Sequence, residues 1–552
     1  MSRSRSDSLL LTAGVLLLVL VVLFFLTHRP LPVEGDAQPS TLAAADTTPA
    51  NAAAESVEPT TDDDPVRLAV AATTAELAQK LSTRLTRADT RAHEAVLIFK
   101  TAEGYARFLA RATEAGVIVA GQIDPLHIVR VRVRAYDAFA AELVARAADY
   151  GGVSANTFVQ MPPVPEERAS GRLFAVGNTL LATLGVPAGT DTSAWGRGVT
   201  VAVLDGGAVP DPTLGARLRY LDIGLGYAGT GEGGRHGTAV AALVGGSSSD
   251  ALGVAPAATV LSIRVLNTDE KSDAFTVTQG IVAAVDVGAQ VVNLSLGGYG
   301  TSEAIARAIA YAADHGVVIV ASAGNDGASR LVWPAADPRV VSVGATDATG
   351  RQADFSNSGP QLRLTAPGVG IQTASLDNQR GLFSGTSASA PVVSGSIAAL
   401  LSQSPGLTAA QAVEILQTHA DDGGSAGDDP NYGHGTIDLG WALARTDPAR
   451  VDTAISDHHY NPDTASLEIV LQNRGARDAA NLTLTVELNG RVSTYPVAAL
   501  TTGRSTTVAI PVDADTAARP ITLRTRLTNP EGVTDTVPAN NARASLIDLA
   551  GR

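Results

Sequence analysis

Apolar residues run from Leu9 to Leu26 with Thr12 as the polar interruption, after the basic pair Arg3 and Arg5. That is about the 17–25 residues a helix needs to cross a bilayer, and the leading arginines keep its start on the cytoplasmic side. No small-residue cleavage signal follows directly, so residues 1–28 are expected to be an uncleaved signal anchor. Periodicity then stops. Pro30 to Val66 carries eight acidic residues and no Lys, Arg or His among its Ala, Thr and Pro, so 29–66 reads as a solvated linker with no core of its own. Patterning resumes over 67–163. "AVLIFK" reads as a strand, "AEGYARFLARATEAG" as a helix stopped by glycine, and "LHIVRVRV" as a half-buried strand alternating apolar and basic. "YDAFAAELVARAADYGG" predicts a second glycine-closed helix and "VSANTFVQ" a last strand. The order resembles β-α-β-β-α-β, a ferredoxin-like α+β layer. An exposed linker is expected over 164–177.

Between 178 and 446 the period changes again. "GVTVAVLD", "TVLSIRVL", "QVVNLSL", "GVVIVASAG" and "RVVSVGAT" are short continuous apolar runs, separated by helical stretches such as "SEAIARAIAYAADHG". Strands apolar on both faces and joined by helices predict a doubly wound parallel sheet, an α/β body. Reactive groups in such bodies gather beyond the carboxyl ends of the strands. From 450 to 552 the strands alternate, as in "SLEIVLQN" and "LTLTVELNG", with Asn489-Gly490 as a hairpin signal, predicting an all-β, Ig-like sandwich.

Composition narrows the function. A net charge of −15 argues against a general nucleic-acid binder, and the lack of cysteine removes disulfides, thiolate catalysis and cysteine-ligated zinc. Hydroxyls remain as nucleophiles, and a hydroxyl needs a base, usually His, oriented by a carboxylate. Asp205 ends the strand "VTVAVLD". His236 lies in "GGRHGTAVAALVGG", where a glycine-rich loop opens a helix. Asn325 follows a buried strand in "VVIVASAGNDG" and has an amide to offer an oxyanion. Ser387 opens the helix "SASAPVVSGSIAALLSQSP", where backbone N–H groups favour negative charge. Singly each has a plain reading: a turn cap, a polar helix residue, a turn Asn, a loop Ser. His458-His459 reads as a surface loop, as does "DDGGSAGDDPNYG".

Together the order Asp205, His236, Asn325, Ser387 resembles the subtilisin-like serine peptidases, the subtilases. "VAVLDGG", "HGTAVA", "GVAPAATVLSIRVL", "VVNLSLGG", "SAGNDG", "SGTSASAP" and "YGHGTIDL" each resemble a motif of that family over roughly 178–446. The resemblance implies a serine endopeptidase acting on polypeptides. Ser387 is the nucleophile, His236 its base, Asp205 the orienting carboxylate and Asn325 the oxyanion donor. Ser295, Leu296, Gly297, Gly298, Ala323 and Gly324 are implied to bind substrate, the first three by strand pairing, with the small residues leaving room for a side chain. Ser384, Thr386 and Ser389 are implied to be packing and turn hydroxyls. Gly206 stands where a hydroxyl residue commonly follows the aspartate, and Ala388 where Met commonly follows the serine.

By the same resemblance 67–163 is similar to the family's inhibitor-foldase prodomain. It is expected to inhibit and chaperone the peptidase in the same chain and to be cut off near 159–175. The sandwich resembles cell-adhesion-related bacterial domains. No cofactor is required. Calcium is common in the family, but no complete ligand set is found here. The expected location is extracytoplasmic, periplasmic or at the cell surface, anchored in the membrane by the N-terminal helix, or secreted if that helix is cleaved. The other reading of such a chain is a catalytically silent binding or adhesion protein on the same fold.

Overall fold

The computed structural model describes residues 73–547 apart from 164, 166–172, 228, 230, 514, 515, 517 and 518. The apolar run 9–26 and the acidic linker lie outside the described residues. Among the described residues no helix is long and apolar enough to cross a membrane. All of them fall in one compact unit, Pro59–Arg552.

The N-terminal layer opens with α1 (Thr74–Arg84), a helix the sequence pattern did not single out. A capping box starts it: the Glu76 N–H donates to Thr73 Oγ1 while the Glu76 carboxylate accepts from the Thr73 N–H. There follow β1 (Thr90–Phe99), α2 (Ala102–Leu109), β2 (Val117–Ile123), β3 (Ile128–Val133), α3 (Tyr136–Ala145) and β4 (Tyr150–Gln160). The glycines expected to close α3, Gly151 and Gly152, lie inside β4 instead. The order β4-β1-β3-β2, all antiparallel, is ferredoxin-like.

The layer is buried on both faces. Leu97 and Phe99 of β1 pack with Phe108 and Phe139 under the helices, while Val96 and Ile98 pack with residues of the next body, including Phe275 and Ile305. Fully burying each such side chain is worth about 1.5–3 kcal/mol. Arg130 of β3 and Arg91 of β1 serve the same junction. Arg130 lies over the Phe275 ring and Arg91 pairs with the wholly buried Asp273.

The central body contains α4 (Leu180–Thr183), β5 (Thr200–Asp205), β6 (Leu218–Leu221), α5 (Gly231–Gly245), the short pair β7 (Ser247–Ser248) and β8 (Ala251–Leu252), β9 (Thr259–Arg264), β10 (Lys271–Asp273), α6 (Ala274–Asp286) and β11 (Val291–Leu294). It continues with α7 (Glu303–Asp314), β12 (Val318–Ser322), β13 (Val341–Thr346), β14 (Leu364–Pro367), β15 (Ile371–Ala374), β16 (Arg380–Phe383) and α8 (Thr386–Gln403). The last elements are α9 (Ala409–Thr418), β17 (Ala420–Asp421), β18 (Thr436–Ile437) and α10 (Leu439–Ala444). The sheet runs β17-β18-β14-β13-β12-β11-β5-β9-β6 and is parallel except at the β17 edge. Along β5, Val201 and Val203 face one core while Ala202 and Leu204 face the other. Burial on both sides is why the strand reads as a continuous apolar run. From β9 the chain crosses to β11 on the other side of β5, and such a reversal opens a crevice at the strand ends. Strand β10 leaves this sheet and pairs antiparallel with β4, Asp273 opposite Phe158.

The C-terminal body is a sandwich of β19 (Thr453–Asn461), β20 (Ser466–Asn473) and β23 (Ser505–Pro511) against β22 (Arg491–Leu500), β21 (Ala479–Leu488), β24 (Ile521–Thr528) and β25 (Ala542–Ile547). His458 is not in a surface loop. It sits in β19 between Ser545 Oγ and Thr525 Oγ1, and burial lowers its pKa to about 3. Nor is "DDGGSAGDDPNYG" wholly on the surface, since Asp422 is buried.

Asp429 lies in that segment, its Oδ1 accepting from the Asn431 and Tyr432 N–H groups while Oδ2 has no partner. Burial pushes its carboxyl up to about 6, and the charges of Asp422 and Asp457 add to the rise. A raised carboxyl favours the folded state below pH 4, and that contribution is lost as pH rises through 6. Asp429→Asn keeps the accepting oxygen. Measured by thermal melts in a Ser387→Ala background, it should match the parent near pH 4 and melt higher above pH 6.5. Equal melting at both pH values would contradict the prediction.

Candidate active site

Asp205 closes β5 and is 1% exposed. His236 lies in α5, and both Asp205 carboxylate oxygens are 2.9 Å from its Nδ1. Two close approaches explain the glycines around this pair. A Cβ at Gly206 would fall 2.3 Å from the Gly233 carbonyl, so no hydroxyl residue fits there. The Gly206 N–H instead donates to Asp205 Oδ1 at 2.7 Å. Gly237, next to the histidine, lies against Gly207. The His236 ring packs edge-on against Phe383, centroids 5.2 Å apart.

Phe383 ends β16, and four residues later Ser387 occupies the second position of α8, 2% exposed. Gly385 makes the turn between them at φ +128°, and a Cβ there would lie 2.9 Å from Asn325 Nδ2. Asn325 sits beyond β12. Its Oδ1 accepts from the Thr386 N–H at 2.9 Å and from Thr386 Oγ1 at 2.8 Å. That leaves Nδ2 as its donor, and Nδ2 donates to the backbone carbonyl of Pro163 at 3.1 Å. Thr386 is therefore more than a packing hydroxyl, because it fixes which way the Asn325 amide points. Ser384 and Ser389 do act as turn and packing groups, bonding Gly370 N–H and the Ala366 carbonyl. Ala388 is fully buried in the core.

Residues 295–298 form the cleft's edge. Gln160 and Gly297 exchange two backbone hydrogen bonds, at 3.1 and 2.9 Å, while Gly298 does the same with Trp333 on the other side. In an antiparallel ladder the next exchanging pair lies two residues on, which is Pro162 against Ser295. Proline has no N–H to give. The Ser295 carbonyl accepts from Ser387 Oγ instead, at 3.4 Å. The Ser387 hydroxyl thus rests on Ser295 rather than on His236. Triad bonds are often long or unmade until substrate binds.

The small residues are tightly packed: a Cβ at Gly297 would meet Val332 at 2.5 Å, and one at Gly324 would meet Asn357 Nδ2 at 2.3 Å. Leu296 and Ala323 are fully buried. His434 pairs with Asp428, away from this cluster. Among the described residues no group of three or more His, Asp or Glu is arranged to hold a metal ion.

Sequence and structure comparisons bear on the family and the fold. The model of the subtilase family matches residues 196–435. Over 253 residues, 46% of this chain and 93% of the relative, the chain is 34% identical to subtilisin BL of Lederbergia lenta. Over 251 residues, 44% of this chain and 65% of the relative, it is 33% identical to subtilisin E of Bacillus subtilis. Among solved structures it is similar in fold to fervidolysin from Fervidobacterium pennivorans, described as a keratinolytic enzyme related to subtilisin. That match has a TM-score of 0.56 at 18% identity and covers 84% of this chain and 93% of the other. The central body is that of a serine endopeptidase. The chain belongs to the subtilase family.

Proposed function

We propose that this subtilase cuts polypeptides through Asp205, His236 and Ser387, and that it is made as a precursor held inactive by its own N-terminal layer. His236 takes the Ser387 proton as the hydroxyl attacks the scissile carbonyl, then returns it to the leaving amine. Asp205 holds the ring by Nδ1 and steadies its cation. The Asn325 amide and the Ser387 backbone N–H take the charge of the tetrahedral oxygen, a donor of this kind being worth roughly 3–4 kcal/mol in the transition state. One observation carries the reading: the Asn325 amide already donates to a backbone carbonyl, Pro163, while Gln160 pairs with the cleft edge as a bound peptide would.

The layer over 67–163 then acts as inhibitor and folding template. Its joint with the peptidase through β10, Asp273 and Phe275 supports that role. Self-cleavage falls in the 164–177 linker. Residues 9–26 anchor the precursor, with the peptidase outside the cytoplasm. The sandwich at 450–552 is an accessory body, and the reaction needs no cofactor.

A fluorophosphonate tests the nucleophile. Processed enzyme should carry one adduct, on the peptide holding Ser387, and His236→Ala should abolish it. Folded, processed protein that stayed unlabelled would overturn the assignment.

A further inference from the structure

The loop that carries the oxyanion donor is gripped from behind by a side chain no motif singles out. Asn357 is wholly buried. Its Oδ1 accepts from two backbone N–H groups, those of Asp326 and Ala328, each at 3.0 Å. Its own N–H donates to the Gly324 carbonyl at 3.0 Å. Its Nδ2 donates to the Tyr299 hydroxyl at 3.1 Å, and that hydroxyl donates to the Asp326 carboxylate at 2.7 Å. Two further bonds extend the grip, Gly327 N–H to the Phe355 carbonyl at 2.8 Å and Ser358 N–H to the Ala328 carbonyl at 2.9 Å.

The pattern has a single gap. Residues 324, 326, 327 and 328 are each tied by the backbone to 355–358, and Asn325 between them is not. Its side chain is held from the opposite side by Thr386, the neighbour of Ser387. Gly324 is part of the same device. At φ +112° it carries no Cβ, and one would strike the Asn357 amide. The Asn325 amide therefore stands between two clamps, Thr386 in front and Asn357 behind, and it has little freedom to reorganise as charge develops. That is the condition under which a donor stabilises an oxyanion best.

We propose that Asn357 is a positioning residue for the oxyanion donor, acting on Asn325 through the amides of Asp326 and Ala328. Tyr299 is its outer brace, tying the cleft edge at 295–298 to the same loop. The proposal rests on Asn325 being the oxyanion donor. A positioning role makes a distinct kinetic forecast. A group that acts only through Asn325 has nothing left to do once that amide is gone.

The experiment measures kcat and KM for a peptide substrate in Asn357→Ala, Tyr299→Phe, Asn325→Ala and the two doubles with Asn325→Ala, with active sites counted by fluorophosphonate. Asn325→Ala should lower kcat by about 10²–10³-fold. Asn357→Ala should lower kcat by about 10–100-fold per active site with KM within roughly twofold, since a misplaced donor costs transition-state binding alone. In the Asn325→Ala background neither Asn357→Ala nor Tyr299→Phe should cost anything further. Tyr299 is 43% exposed. Its phenylalanine variant therefore keeps the test alive if Asn357→Ala does not fold, with a kcat loss of a few-fold expected. Single-variant losses that multiply in the doubles, or an unchanged kcat in both Asn357→Ala and Tyr299→Phe, would overturn the proposal. An unchanged kcat in Asn325→Ala would instead overturn the oxyanion assignment on which it stands.

Discussion

Ser387→Ala should leave the chain at full length and lower peptide hydrolysis by about 10⁶-fold, the size of loss known for nucleophile removal in subtilisin, a relative of this chain. Both effects follow from one atom. The hydroxyl at 387 sits at the start of α8, close to the amide of Asn325, and the carbonyl of Pro163 is already on that amide. With the oxygen removed, His236 has no proton to take and the linker is not cut. The N-terminal layer then stays seated on its joint with β10 and Asp273. Gel mobility and N-terminal sequencing report the processing, and initial rates on a peptide report the hydrolysis. Adding a trace of active enzyme should cut the variant's linker, because the linker remains a substrate. Continued processing of pure variant at the parent rate would remove self-cleavage from the account.

Arg474→Met should destabilise the protein by about 3–5 kcal/mol near pH 7.5, the cost of leaving a buried charge without its partner. Arg474 is 6% exposed at the junction between the sandwich and the central body. Its guanidinium reaches Asp421 at 2.9 Å and Asp438 at 3.7 Å, donates to Gln472 and Ser456, and lies over Trp441. Asp421 is partly exposed. Asp438 is buried, and it also caps α10 by accepting from the Trp441 N–H at 2.7 Å.

Burial raises the Asp438 carboxyl even with Arg474 present, and the neighbouring Asp421 charge adds to it. Without the arginine the rise is larger. A raised carboxyl takes up its proton in the folded state, so the damage should shrink at acid pH and grow as pH rises. Urea titrations at pH 5 and 7.5, in a Ser387→Ala background to stop self-digestion, measure both. A loss under about 1 kcal/mol at pH 7.5, or one that did not change with pH, would contradict it. The same contacts mean that a truncation at 450 removes the partner of Asp421 and Asp438, so the sandwich is not a tethered module that can be trimmed without consequence.

The features legible in the residues alone are local ones. Continuous apolar runs and a period of about three and a half placed the strands and helices of the central body, because side-chain spacing follows backbone geometry within a few residues. The run of valines in β5 already meant a strand covered on both faces. Glycines beside Asp205 and His236, and the serine opening α8, marked the chemistry for the same reason, since a turn or a helix start needs its residues next to one another.

Which distant groups meet became visible in the fold. The stretch "LHIVRVRV" read as a half-buried strand, yet its Arg130, with Arg91 of β1, faces Asp273 more than a hundred positions away. His458 looked like loop surface and is half-buried in β19, bonded to Ser545 and Thr525 of the facing sheet. Thr386 looked like filler, and only the fold brings Asn325 to its hydroxyl. Asn357 had no local mark at all, because its two accepted hydrogen bonds come from a loop some thirty residues earlier. Hydrogen bonds and ion pairs across such separations depend on how helices and sheets pack, and packing is fixed by the whole core rather than by any short stretch of chain.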